Sequence, residues 1–368
     1  MRFAPGSNKP ALFVRSLKEN PELVEMVHVM GVGWRAGDRD LNHEVNDFLR
    51  DLPSLRGLQI WAELDEEHFV PHFLETNPMR HLTSMRLNDK QLTIDIIKKC
   101  LFLKHLQYLT LVCKFPGTYS PLISAEKKTS QLLSLVLEED SHIPPEILRG
   151  VLRICPEIKT LQCALPGRSV PNQFVWFDST KLASIFSPVL ISNALATAQN
   201  TLQKLELHIC LCEWPGHDDS RVNLNMVKAL RHVDCLVKCF FISGALCKTR
   251  VGLYKLLPAS LEELHLRFEY TCSLECRDNP INDNQSPIQK PDSEFLWLLK
   301  IANKKAEYGS CIERIRLERY DLPQDCGTVD DDLDDIIQLV SWDPPLIVAK
   351  SLSEARTFCT GKVFRSQI

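Results

Sequence analysis

The chain has 368 residues, of which 44% are hydrophobic and 24% charged, a balance typical of a folded protein rather than a disordered one. Its formal net charge of -4, with Lys and Arg scattered along the chain, argues against a protein that binds nucleic acid by neutralising phosphates. No stretch approaches the roughly 18 consecutive apolar residues of a membrane span, so we expect neither nucleic acid nor a membrane as partner.

The first predicted elements are a short amphipathic helix and a strand, separated by the pair Asn20-Pro21. Proline disfavours helix at the residue before it, so a helix from about Ala11 should end near Asn20. The strand leads into Gly31-Val-Gly33-Trp-Arg-Ala-Gly37. Its spacing is GxGxxxG rather than GxGxxG, and no apolar helix follows that could bind a pyrophosphate. We interpret these glycines as a turn between repeats.

A helix followed by a strand recurs along most of the chain, most clearly from Leu92 to Phe115. The apolar residues Leu92, Ile96, Ile97, Cys100 and Leu101 have helical spacing, and Leu106, Leu109 and Leu111 form the LxxLxL pattern of a short strand. The equivalent strand positions are Leu58, Met85, Leu109, Leu135 and Leu161. They are 27, 24, 26 and 26 residues apart. These steps fall within the range of leucine-rich repeats, roughly 20 to 29 residues.

The second half is less regular. A helix is predicted from Pro188 to Thr197, with Ser187 as its cap and Pro188 at its first position. Strands are predicted at Leu205 to Leu207, Leu236 to Ile242, Leu264 to Leu266 and Ile315 to Leu317. Residues 321–368 include five aspartates between Asp330 and Asp335, and we interpret them as an acidic segment and a C-terminal cap or tail.

The predicted fold is therefore α/β: an irregular leucine-rich-repeat solenoid over residues 1–320, with a parallel sheet on its concave face. Side chains alternate across a strand, so the residues between the inward leucines should line that face. The candidate protein-binding residues are Gln59, Trp61, Arg86, Asn88, Glu138, Glu206, His208, His265, Arg267, Arg316 and Glu318. They combine both charges with one large aromatic side chain, a mixture suited to protein recognition.

Several of the 14 cysteines occupy apolar positions of the repeats, as Cys100, Cys155 and Cys163 do, where cysteine behaves as a small hydrophobe. Because no secretory signal is seen at the N-terminus, we expect reduced thiols and an intracellular location, cytoplasmic or nuclear. A metal- or thiol-dependent enzyme using the Cys210 to Cys276 region is the alternative. Its CxC and CxxxC pairs do not match the usual spacing of zinc ligands. Since GxSxG, P-loop and HExxH motifs are also absent, we expect no catalytic residue, metal or cofactor.

Two segments resemble the leucine-rich-repeat portion of fungal F-box-type proteins. They are Leu17-Lys-Glu-Asn-Pro-Glu-Leu23-Val-Glu-Met-Val27 and Leu256-Leu-Pro-Ala-Ser-Leu-Glu-Glu-Leu264-His-Leu266. The resemblance extends from about Pro10 to Tyr320. It implies a protein-binding scaffold that recognises substrates for ubiquitin ligation.

In that family a helical F-box module precedes the repeats, and no F-box is seen before Ala11. The resemblance therefore implies a Skp-type adaptor and a cullin as partners only if a longer product carries the F-box. Otherwise we expect an unidentified protein partner, or a truncated product without retained function.

Overall fold

The computed structural model describes residues 9–34, 48–49, 52–62, 74, 79–89, 94–112, 129–138, 145–165, 187–209, 220–240, 252–269 and 312–320. The chain divides into two compact units, Met1–Pro166 and Gly167–Ile368. The described part of each unit is α/β with parallel strands. The predicted acidic tail at 321–368 lies outside the described residues. Within the described ranges, no helix is long and apolar enough to cross a membrane.

In the residues that the structure describes, the first unit has six parallel strands in chain order beside short helices. Its helices are α1 (Lys9–Glu19), α2 (Pro21–Glu25), α3 (Ile94–Leu101) and α4 (Pro145–Ile154). Its strands are β1 (Val29–Trp34), β2 (Gly57–Ala62), β3 (Ser84–Asp89), β4 (Tyr108–Val112), β5 (Ser134–Leu137) and β6 (Thr160–Leu165). Each strand pairs in parallel with the next one along the chain.

The second unit contains one described α-helix and four parallel strands, also in chain order. The helix α5 (Pro188–Leu195) continues as a 3-10 turn, Ala196–Ala198. The strands are β7 (Lys204–Ile209), β8 (His232–Leu236), β9 (Glu263–Glu269) and β10 (Arg314–Tyr320). A second 3-10 turn, Val237–Cys239, follows β8 directly.

Strand register confirms the repeat positions predicted for the first unit. The five residues Leu58, Met85, Leu109, Leu135 and Leu161 are successive partners across β2 to β6. Each of them is at most 1% exposed. They form a continuous row of buried apolar side chains, and no single helix–strand unit would bury its own share of that row alone.

The same backbone contact recurs where strands begin. One carbonyl on a strand's N-terminal side accepts hydrogen bonds from two successive amides of the next repeat. The His28 carbonyl accepts from Arg56 and Gly57, and the Gln203 carbonyl accepts from Arg231 and His232. This contact satisfies backbone groups that would otherwise lie unpaired at the ends of the ladder.

The helices bury one face, as their spacing predicts. In α3 the buried residues are Ile96, Ile97, Cys100 and Leu101, and in α4 they are Ile147, Leu148, Val151, Leu152 and Ile154. Each large side chain of this kind contributes roughly 1.5–3 kcal/mol by leaving water. Ser187 stands at the N-cap of α5, but its side chain makes no capping hydrogen bond. Its carbonyl instead accepts from the amides of Leu190 and Ile191.

The N-terminal segment corrects two predictions. Helix α1 ends at Glu19, close to the expected Asn20, but Pro21 then opens the helix α2 before the strand. Proline suits the first turn of a helix because its φ is already helical and its missing N–H needs no partner there. Gly31 and Gly33 lie inside β1, so the predicted turn is wrong at these two positions. Gly37 lies outside the described residues.

The strand predicted at Leu236 to Ile242 is also wrong. The strand is β8, which ends at Leu236, and the chain then enters the 3-10 turn. The repeat here places Leu230, Val233 and Cys235 at the three LxxLxL positions, all at most 2% exposed. Because Val and Cys replace two leucines, the pattern is hidden, and the more apolar residues that follow resemble a strand instead.

Candidate functional site

The outward face of the strands in each unit consists of the side chains that alternate with the buried row. In β4 the alternation is complete, with Leu109 and Leu111 buried and the three residues around them exposed or partly exposed. The predicted positions Gln59, Trp61, Arg86 and Asn88 are likewise partly exposed, and each directly follows a buried residue. These side chains therefore lie on the face opposite the buried row, and their role in binding stays a prediction.

The outward face of the first unit is largely uncharged. One row across it contains Gly31, Gln59, Arg86, Thr110, Val136 and Gln162, and the next contains Gly33, Trp61, Asn88 and Val112. Glu138, which directly follows β5, accepts a 2.7 Å hydrogen bond from the Nη2 atom of Arg86. That pairing balances the charge of Arg86, so Trp61 is an aromatic side chain on a mostly neutral surface.

The outward face of the second unit is built almost entirely from charged and titratable residues. One row contains Lys204, His232, Glu263 and Arg314, and the next contains Glu206, Asp234, His265 and Arg316. Arg267 and Glu318 are partners in the row beyond. Arg316 and Glu318 lie in β10 at the positions predicted for them. The structure does not describe their side chains.

Five side chains of this face form one connected cluster, which we call the charged cluster: Glu206, His208, Asp234, His265 and Arg267. Asp234 Oδ2 lies 3.0 Å from Nδ1 of His265 and 2.7 Å from Nη2 of Arg267. The other terminal nitrogen of Arg267, Nη1, lies 3.1 Å from Nδ1 of His208. Nε2 of His208 lies 3.2 Å from Oε2 of Glu206. The cluster joins three strands that are distant in sequence.

Both carboxylates of the charged cluster are held in their ionised form. The hydrogen bond from His208 lowers the pKa of Glu206 to about 2, against the opposing effect of burial and with further help from Lys204. Burial acts to raise the pKa of Asp234, but the hydrogen bond and charge of His265 and the charge of Arg267 outweigh it and lower that pKa. The two acids therefore serve as fixed anions that position the imidazoles and the guanidinium.

We expect stability to depend on pH through Glu206. Its folded pKa lies below the ordinary value, so its contribution is present above about pH 4.5 and is lost as the pH falls towards about 2. Unfolding in urea at several pH values from 2 to 6, for the natural chain and Glu206→Gln, measures this contribution. The difference in unfolding free energy should be largest near pH 6 and should shrink as the pH falls. A difference that is constant with pH would contradict the assigned role.

Asp234 is the member of the charged cluster that was not among the candidates predicted from sequence. The strand predicted there begins at Leu236, which puts Asp234 in a connecting segment. The signal that could have found it is the spacing Leu230, Val233, Cys235, which matches LxxLxL once Val and Cys are accepted as core residues. In that register Asp234 is the residue between two inward side chains.

The described thiols are poorly suited to chemistry. Burial raises the pKa of Cys100 and of Cys155 to about 12, and burial first and Cys239 second raise the pKa of Cys235. Because the thiolate is the nucleophile and the metal ligand, these buried thiols are unreactive near neutral pH. In the ranges that the structure describes, no group of three His, Cys, Asp or Glu side chains could hold a metal ion. Cys210, Cys212, His217, Cys272 and Cys276 lie outside those ranges.

Comparison with known proteins identifies no family for the chain. A scan against protein-family models and a search of curated proteins both found no match. The similarity to the repeats of F-box-type proteins therefore stays a prediction from sequence. The functional argument depends on the strand register and on the side chains of the two outward faces.

Proposed function

We propose that the protein is a non-enzymatic scaffold that binds another protein through the outward faces of its strands, and that its fold is an irregular leucine-rich-repeat solenoid. One observation carries the proposal: the register aligns Gln59 with Arg86, Trp61 with Asn88 and Asp234 with His265. Residues far apart in sequence thereby form continuous rows of polar and aromatic side chains. Aligned rows of this kind on stacked repeats form extended binding surfaces.

The chemistry of the outward faces supports protein binding. Trp and Arg are favoured anchors of protein interfaces because they combine a large contact area with hydrogen-bonding groups. Trp61 provides such an anchor in the first unit, and Arg267 provides one in the second. The buried thiols and the mutually paired carboxylates offer no nucleophile beside a base in the described ranges, which favours a binding role over an enzymatic one.

The resemblance to F-box-type repeat proteins supports a more specific version of this proposal, in which the bound partner is a substrate for ubiquitin ligation. A Skp-type adaptor and a cullin would then join the assembly through an F-box carried by a longer product. Co-purification of these two proteins with the full chain, tagged at its C-terminus, is the expected result of this version. Recovery of a partner without them would leave an independent binding module.

The test of the general proposal is affinity for a partner captured from the native cell. Trp61→Ala and Arg267→Gln should each weaken binding about tenfold or more, the effect of losing an interface anchor. Arg153→Gln is the matched control, because Arg153 is exposed on the helix α4 rather than on a strand. Thermal unfolding of each variant checks that the fold is retained. Unchanged binding by both strand variants would overturn the assignment of the outward faces.

A further inference from the structure

The second unit repeats one combination of side chains three times: a carboxylate that contacts both an imidazole and a permanent cation. Glu206 contacts His208 at 3.2 Å and Lys204 at 2.5 Å, Asp234 contacts His265 at 3.0 Å and Arg267 at 2.7 Å, and Glu263 contacts His232 at 3.1 Å and Arg314 at 2.6 Å. The three carboxylates balance the three permanent cations. A proton added to any of the three imidazoles therefore leaves these groups with a net positive charge.

One contact joins two of these combinations within the charged cluster: Arg267 Nη1 lies 3.1 Å from Nδ1 of His208. A guanidinium has no acceptor, so Arg267 must donate, and Nδ1 must carry a lone pair. Nε2 of the same ring faces the ionised Glu206, which can only accept, so the ring proton lies on Nε2. His208 is therefore a neutral imidazole of defined tautomer, held between a cation and an anion.

A second proton on His208 is incompatible with this arrangement. It would bind Nδ1 and point at an N–H group of Arg267, so a donor–acceptor contact would become a contact between two cations. The Nε2 proton would stay with Glu206, whose pKa of about 2 keeps the carboxylate ionised throughout the range in which imidazoles titrate. Glu206 thus holds the ring in place, so the repulsion acts on the guanidinium, which Asp234 Oδ2 also contacts at 2.7 Å.

We propose that protonation of His208 releases Arg267, so that His208 acts as a latch on the guanidinium. The released guanidinium then binds a carboxylate on an acidic polypeptide segment of the partner. The inference rests on the proposed function and adds the partner's chemistry and its regulation by pH. Arginine recognises a carboxylate through two parallel hydrogen bonds, a geometry that suits a Glu or Asp side chain. Protonation of the three imidazoles also adds positive charge to a balanced surface, which favours an acidic segment further.

The charged and titratable groups around His208 are consistent with the release of Arg267 on protonation. Its own strand presents Lys204 and Glu206, β8 presents Asp234, and β9 presents His265 and Arg267. Asp234 keeps His265 as a partner when Arg267 moves, so the carboxylate is not left without a donor. The side chains of His208, Asp234 and Arg267 are 15%, 19% and 24% exposed, so each keeps some contact with solvent, although Nε of Arg267 is buried.

The experiment measures binding of a fluorescein-labelled peptide of glutamates to the full chain at pH 8.0 and pH 5.5, at constant ionic strength. We expect about tenfold tighter binding at pH 5.5, the scale of one additional charge-assisted hydrogen bond. His208→Gln should lose most of this pH effect, because its amide oxygen can accept from Arg267 without taking up a proton and only the general charge of the other two imidazoles can still change. Equal affinity of the natural chain at the two pH values would overturn the proposal.

His232→Gln is the matched control. His232 also contacts a carboxylate that holds an arginine, but the contact of Arg314 is with Glu263 rather than with the ring. This variant should keep most of the pH effect, since it removes a titrating charge but no latch. If His208→Gln and His232→Gln lose the pH effect equally, general charge explains the binding and the latch is overturned. Circular dichroism at both pH values verifies that each variant is folded.

A second measurement needs no partner. In protein labelled with 15N at arginine, the side-chain signals of Arg267 should shift between pH 8.0 and pH 5.5, and should shift much less in His208→Gln. Unchanged Arg267 signals would overturn the latch while leaving the proposed binding function intact. Signals that shift without any peptide binding would overturn the acidic partner. The proposed function is tested separately, by the affinity of Trp61→Ala for the partner captured from the native cell.

Discussion

Replacing Leu109 by alanine should lower the free energy of unfolding by about 2–5 kcal/mol, the usual cost of truncating a fully buried leucine. Leu109 lies in the middle of the buried row, where it is the register partner of Met85 on one side and of Leu135 on the other. It is 1% exposed, so the lost methyl groups leave a cavity that neighbours on both strands line. Unfolding in urea, followed by circular dichroism, measures the loss.

Thr110→Ala is the control for this prediction. Thr110 is the next residue of β4 and lies on the outward face, where it is partly exposed. Removing its side chain should cost less than about 1 kcal/mol, the scale of strand propensity and surface effects. The comparison therefore tests which side chains of β4 face the core, rather than how sensitive the whole unit is to any substitution. Similar losses for the two variants would show that the alternation is wrong.

The regular part of the fold could be predicted because most of its repeat positions hold leucine or a similar apolar residue. Leucine occupies all three LxxLxL positions around Leu109 and Leu135 and some of them around Leu58 and Leu161. The row of equivalent positions predicted from sequence is therefore the row seen in the register. Periodicity of this kind reports burial directly, since a strand buries every second side chain. The helix α3 was equally clear because its apolar residues follow the helical period.

Prediction failed where a repeat used other residues for the same purpose. In β8 a valine and a cysteine replace leucines, and in β1 the outward positions are Gly31 and Gly33, which sequence rules associate with turns. A Cβ built on Gly33 would meet nothing within 4 Å, so no described contact requires glycine there. For β1 and β8, pairing with the neighbouring strands determined the structure, and the local sequence was a poor guide.

The candidate residues could be predicted individually, but their contacts could not. Arg86 and Glu138 are 52 positions apart, and His208 and Arg267 are 59 positions apart. Segments of different length separate the repeats, so the sequence does not show which outward side chains become neighbours. Nor did it show that the neutral and aromatic residues belong to the first unit while most of the charged ones belong to the second. The register supplies that information.

Removing Asp234 should have the largest effect among the outward residues of the second unit. Its carboxylate accepts hydrogen bonds from His265 and Arg267, and all three side chains are at least three-quarters buried. Asp234→Ala takes away the acceptor of both donors, so we expect a loss of about 1–3 kcal/mol in the free energy of unfolding at pH 7. Because the pKa of Asp234 is lowered, the loss should shrink as the pH falls into the range where the carboxylate protonates.

Glu262→Ala is the matched control for Asp234→Ala. Glu262 contacts Arg231 at 3.1 Å, but the arginine is 59% exposed, so water screens the pair. Its removal should cost less than about 1 kcal/mol. Equal losses for the two variants would contradict the view that partial burial makes the charged cluster stabilising.

A double-mutant cycle separates the value of the Asp234–Arg267 contact from the cost of leaving one charge without its partner. Asp234→Ala and Arg267→Ala each remove one side of a 2.7 Å contact, and the double variant removes both. If the contact stabilises the fold, the double variant loses less than the sum of the single losses, by about 0.5–3 kcal/mol. A coupling near zero would mean that the contact with Asp234 does not hold the guanidinium in the cluster. The contact with His208 would then be the one that positions Arg267.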